Sequence, residues 1–155
     1  MKYYDLERHK KLLKLSQDLE EQGKSLLQED LDQYFELARY QIAIEHCILW
    51  QERDQIVLFL KNFLNKKIDA KTFCNYTSSL HRKIIEEPKK YTLELLSNSE
   101  NMKHLQPDED YSKLKGLLTV FFCECDNLEE TEDINHFYTS MKSVYLKLER
   151  ILNEG

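Results

Sequence analysis

Apolar residues recur along this chain at intervals of three, four and seven, the spacing of a helix face. Ile56, Phe59, Leu60, Phe63 and Leu64 form one clean stripe, and Leu114, Leu117, Leu118, Phe121 and Phe122 form another. A third runs through Ile134, Phe137, Met141, Tyr145, Leu148 and Leu152. Phe73, Tyr76, Leu80 and Ile84 continue the same period, and Tyr91, Leu95 and Leu96 predict a short helix over residues 89–97. Upstream, Leu31, Phe35, Ala38, Ile42 and Leu49 predict a helix from residue 26 that runs through Trp50 with only a bend. Residues 3–22 carry Leu6, Leu12, Leu13, Leu15 and Leu19, a narrower face suited to a docked or appended helix. No run alternates apolar and polar over six residues, so strands are not expected.

The punctuation agrees with this period. Gly23 is a helix stop, and Asn65-Lys66-Lys67 places basic charge where a C-terminal dipole favours it. Asp69 is a good N-cap, because its carboxylate accepts the free N–H groups of the next turn. Pro88 interrupts the helix before it, and the polar stretch Ser97–Asp110, with Pro107, reads as the longest loop. Asp133 caps the last helix. With only 3 Gly and 2 Pro, the chain has few turn residues to spend. The expected fold is all-α: an antiparallel up-and-down bundle over residues 26–155, with an N-terminal helical arm over residues 1–25.

Charge narrows the function classes. The net charge is −6, yet it is segregated. Residues 56–90 hold 8 basic against 3 acidic side chains, whereas residues 91–155 hold 6 against 13. An acidic protein is repelled by nucleic acid and by anionic lipid, so neither is the expected partner. Lys61, Lys66, Lys67 and Lys71 read as a solvated helix face. No stretch approaches the roughly 20 apolar residues that span a bilayer, and the start has no apolar signal-peptide region. The four cysteines, Cys47, Cys74, Cys123 and Cys125, therefore read as free thiols of a cytoplasmic protein.

Catalytic chemistry has no motif to stand on. Cys123 and Cys125 are two apart, which on a helix turns them about 200° from each other, and His46 beside Cys47 diverges in the same way. The histidines, His9, His46, His81, His104 and His136, show no metal-ligand spacing. There is no nucleophile elbow and no phosphate loop. No metal, no cofactor and no catalytic residue is expected.

One feature exceeds what folding asks for. Over Glu124-Cys125-Asp126-Asn127-Leu128-Glu129-Glu130-Thr131-Glu132-Asp133, six of ten residues are acidic and none is basic. One or two carboxylates suffice to cap a helix. The surplus repels itself, a cost that a cationic partner relieves. Tyr138 follows within two turns, and aromatic and acidic groups together suit Arg and Lys. The candidate partner-binding set is Glu124, Asp126, Glu129, Glu130, Glu132, Asp133 and Tyr138, facing a protein with a basic surface. Tyr3, Tyr4, Tyr34 and Tyr40 exceed what the first stripe needs, and they read as core packing ahead of a second interface.

Two segments carry a resemblance. Ile56-Val57-Leu58-Phe59-Leu60-Lys61-Asn62-Phe63-Leu64-Asn65-Lys66-Lys67-Ile68-Asp69-Ala70-Lys71-Thr72-Phe73 resembles the opening of the colicin D immunity family: an apolar helix, a basic turn, a capping residue and an aromatic. Leu114–Asp126 followed by Asp133–Leu152 is similar to that family's Leu/Phe helix, acidic linker and terminal amphipathic helix. The resemblance implies an antiparallel helical bundle that neutralises a ribonuclease by covering its basic active site with carboxylates. Here those would be Asp126, Glu129, Glu130, Glu132 and Asp133. Residues 1–55 have no counterpart in the family, and the 97–110 linker is long. Richness in Lys, Asn, Ile and Tyr also resembles a reading frame of an AT-rich bacterium or an algal plastid. That implies cytoplasm or stroma, and the alternative role of an accessory subunit docked through the N-terminal helices.

Overall fold

A computed structural model of the chain describes residues 4–86 and 109–154. Among them the protein is all-α, 89% helical, with six helices and no strand. The expected helix over 89–97 and most of the expected 97–110 loop lie outside the described residues. No described helix is long and apolar enough to cross a membrane.

The helices are α1 (Leu6–Glu21), α2 (Leu26–Glu29), α3 (Leu31–Leu64), α4 (Ala70–His81), α5 (Glu109–Thr131) and α6 (Ile134–Glu154). Their ends follow from the side chains that meet orphan backbone groups. Asp5 starts α1 by accepting from the Arg8 amide at 3.0 Å. Gly23 ends it at φ 71, with its own amide on the Glu20 carbonyl and that of Lys24 on Leu19, the paired closure that a left-handed residue permits. Lys66 repeats this closure after α3 at φ 59, with Lys67 N–H donating to the Asn62 carbonyl at 2.8 Å. Asp69 starts α4 by accepting from the Thr72 amide at 2.7 Å. A π-helical turn, Arg82–Glu86, then extends α4, burying Ile84 and exposing Ile85.

The single helix expected from residue 26 is divided at Asp30. This residue is extended, and its carboxylate accepts from the Gln33 amide at 3.0 Å and from the Gln33 side chain at 2.8 Å. A good cap inside an apolar pattern starts a new helix. From there α3 is continuous over 34 residues, past Trp50.

Its buried face also differs from the expected one. Leu49 is buried as expected, and so are Leu37, Tyr40, Ile44 and Cys47, whereas Leu31, Phe35 and Ile42 are 53%, 52% and 42% exposed. Both rows have helical spacing, and the packing of α1 and α2 selects the first.

The described residues form two compact units that divide within α3, after Cys47. In the unit of residues 4–47, Leu12, Leu26, Leu37 and Tyr40 make the core, with Tyr4, Leu13, Leu15 and Leu19 against it. His9 is fully buried there. Its Nδ1 lies 2.5 Å from the Tyr4 hydroxyl. Arg8 donates a forked pair of hydrogen bonds to Glu36 at 2.8 and 2.9 Å, fastening α1 to α3.

The unit of residues 48–86 and 109–154 is built around aromatic rings. Phe63 packs on Phe73 and on Phe137, each at 5.3 Å, and Phe73 meets Phe121 edge-on at 5.6 Å. Ile56, Leu60, Leu80, Leu114, Leu118, Met141, Val144 and Leu148 complete this core. The stripes read from sequence for the second half of α3, for α4, for α5 and for α6 therefore supply it. Val144 joins, and Ile134 stays exposed.

Candidate functional site

The acidic run lies at the turn between α5 and α6. The sequence reads as an acidic connection between helices, but residues 124–131 are helical and only Glu132 and Asp133 lie between the two helices. Glu is a good helix former, and Leu128 is half-buried, so α5 continues through the charge. Glu132 then ends it at φ 56, with its amide on the Leu128 carbonyl at 2.9 Å. Asp133 accepts from the His136 amide at 3.0 Å and starts α6.

This placement sorts the carboxylates by what the fold asks of them. Asp133 has a capping role. Glu124 is half-buried, and its Oε2 lies 3.3 Å from His136 Nε2, an ion pair when the imidazole is protonated. Asp126, Glu129, Glu130 and Glu132 are exposed. Glu129 and Glu130 sit in the last turn of α5, where the helix dipole is negative and carboxylates are disfavoured. That turn has no basic residue. Among the described residues no cation pairs with Glu129, Glu130 or Glu132.

Tyr138 is not displayed with them. Its hydroxyl donates to the Leu64 carbonyl at 2.6 Å, and its ring packs 5.9 Å from Phe63. It joins Lys61, Asn65, Lys142 and Tyr145 along a cleft of about 350 Å³ between α3 and α6. The candidate set thus gathers five exposed carboxylates at one turn, holds Glu124 partly inside, and gives Tyr138 an internal partner.

The cysteines divide as the helical angle requires. Cys125 is buried and Cys123 is exposed. Cys125 meets a residue that the sequence does not link to it: the Thr77 hydroxyl on α4 lies 3.4 Å from its sulfur. No fixed spacing joins these residues, so only the packing of α4 on α5 could reveal them. Among the described residues no group of three or more His, Cys, Asp or Glu side chains could hold a metal ion. No family model, curated protein or solved structure matches the chain.

Proposed function

We propose that this protein is a non-enzymatic binding module of the immunity or antitoxin type, which uses the acidic turn between α5 and α6 to cover a basic partner such as a ribonuclease. One observation carries the reading. Glu129 and Glu130 are exposed at the helix end where the dipole opposes them, and Glu132 holds a left-handed backbone position, so local stability favours none of the three. A cationic surface supplies the compensation that the fold lacks. Complementary charge of this kind acts mainly on encounter, so association is steered and salt-sensitive.

The test is binding to a basic ribonuclease domain of the colicin D type, followed by stopped-flow at several salt concentrations. Replacing Glu129, Glu130, Glu132 and Asp133 together with Ser should slow association by about tenfold or more at low salt, with the helical circular dichroism retained. Binding left unchanged by that replacement removes the acidic turn from the interface.

A second reading is supported by a separate observation: the exposed row of Leu31, Phe35 and Ile42 on α3. It makes the protein an accessory subunit of a larger assembly, docked through its N-terminal helices. Deleting residues 1–22 would also strip Leu12 and His9 from the core of that unit. Changing Leu31, Phe35 and Ile42 to Gln is therefore the cleaner discriminator. Loss of co-fractionation with a large complex supports the subunit, whereas retained ribonuclease binding supports the inhibitor.

A further inference from the structure

Two surfaces of opposite charge lie side by side at one end of the unit of residues 48–86 and 109–154. Phe137 packs on Phe63, and the Tyr138 hydroxyl donates to the Leu64 carbonyl, so α6 begins where α3 ends. The acidic turn directly precedes that start. Within two turns along α6 opens the cleft of about 350 Å³ that Lys61, Leu64, Tyr138, Lys142, Tyr145 and Leu146 line. Each surface lacks what the other offers. Glu129, Glu130 and Glu132 have no cation, and among the described residues no carboxylate pairs with Lys61 or Lys142. The Lys61 ammonium lies 5.8 Å from the Tyr145 ring centroid instead, and Glu149 takes its hydrogen bond from the Tyr145 hydroxyl. The apolar groups match as well. Ile134, beside the acidic turn, is 47% exposed, and Leu146, on the cleft wall, is 51% exposed.

We propose that this protein forms a symmetric dimer, in which the acidic turn of each copy docks into the α3–α6 cleft of the other.

One copy cannot close this contact on itself. The turn and the cleft share α6, a single helix that holds Ile134 about 18 Å from Leu146 along its axis. A two-fold axis between the patches removes the obstacle. Each turn then faces the cleft of the other copy, and the same contact is made twice. Ile134 rests on Leu64 and Leu146 across the interface, and the carboxylates of Glu129, Glu130 and Glu132 face the ammonium groups of Lys61 and Lys142. The apolar contact is small, so the dimer is weak, and its exposed ion pairs make it salt-sensitive. The dimer uses the turn that the proposed function gives to a basic partner. Such a partner must displace the second copy, so its apparent affinity falls as the protein is concentrated.

The experiment is sedimentation velocity of the full chain over a concentration series, at low and at high salt. A monomer–dimer equilibrium is expected, with salt moving it toward monomer. Lys61→Glu with Lys142→Glu reverses the cleft, and Glu129→Lys, Glu130→Lys and Glu132→Lys together reverse the turn. Each reversal alone should weaken the dimer by about tenfold or more. An equimolar mixture of the two should restore it, because a lysine turn then meets a glutamate cleft while an unchanged turn meets an unchanged cleft. Circular dichroism checks that both chains stay helical, and where a reversal costs the fold, Ile134→Gln at its exposed position reads the same contact by weakening the dimer. The cleft-reversed chain keeps its acidic turn, so its binding to ribonuclease reports on the proposed function alone. A chain that stays monomeric throughout the low-salt series, a dimer that neither reversal weakens, or a mixture no more dimeric than its components would overturn the proposal.

Discussion

The imidazole of His9 lies flat against the ring of Tyr40, with centroids 5.3 Å apart and planes inclined by 14°. Tyr4 closes the other edges, T-shaped to both rings. His9 Nδ1 has the Tyr4 hydroxyl, but Nε2 is buried with no partner. Protonation would therefore add a charge and an unmet N–H inside an apolar core, and burial lowers the pKa of His9 from 6.5 to about 4.

The consequence for stability has a definite sign. Between pH 6.5 and 4 the unfolded chain binds a proton that the folded chain refuses, so stability falls as pH drops through this window. The full difference is about 3 kcal/mol by pH 4. Urea unfolding at stepped pH should show this slope, and His9→Phe, which keeps a ring on Tyr40, should flatten it. Glu36 behaves differently. Its hydrogen bond from Arg8 holds its carboxyl below the usual 4.5, so its contribution is lost only at lower pH.

The covered face of α3 makes a paired prediction. Leu37→Ala empties a buried site and should cost about 2–5 kcal/mol. Leu31→Gln or Phe35→Gln changes an exposed residue and should stay within about 0.5 kcal/mol of the parent. Equal costs in denaturant titration would mean that both rows of α3 are covered.

Phe73 is the hinge of the aromatic core, touching Phe63, Phe121 and Phe137. Phe73→Ala should lose about 3–5 kcal/mol, with the amides of α4 and α5 the first to gain exchange in hydrogen–deuterium measurements. Phe73→Leu, which keeps most of the volume, should lose clearly less.

The carboxylates of the acidic turn should not respond alike. Asp133→Ala removes the cap of α6 and should lower stability by about 1 kcal/mol. Glu129→Gln and Glu130→Gln relieve the dipole at the end of α5 and should each raise it by about 0.3–1 kcal/mol. Thermal melts at low salt resolve the opposite signs, and added salt should shrink the second effect but not the first.

What the sequence could tell depended on whether the signal was local. Asp69, Asp133 and Gly23 act on the residues beside them, and their capping roles were legible. The stripes in α4, α5 and α6 were legible because each has only one apolar face. In α3 the rows Leu31-Phe35-Ala38-Ile42 and Leu37-Tyr40-Ile44-Cys47 both fit a helix, and periodicity cannot say which one α1 and α2 cover. The break at Asp30 was hidden by apolar residues on both sides. The acidic run read as a connection because its charge stood out more than its helix propensity. The contact of Thr77 with Cys125 was illegible, since the two are joined only by the packing of their helices.

Glu132 carries a consequence of another kind. It occupies a left-handed position, φ 56, that glycine fills without strain. Glycine there should make the protein more stable and, on the proposed function, a weaker binder. Selection for thermal robustness alone would therefore erase this side chain, whereas selection for partner capture would keep it. Position 132 separates the two histories, and Glu132→Gly should show melting temperature and affinity moving in opposite directions.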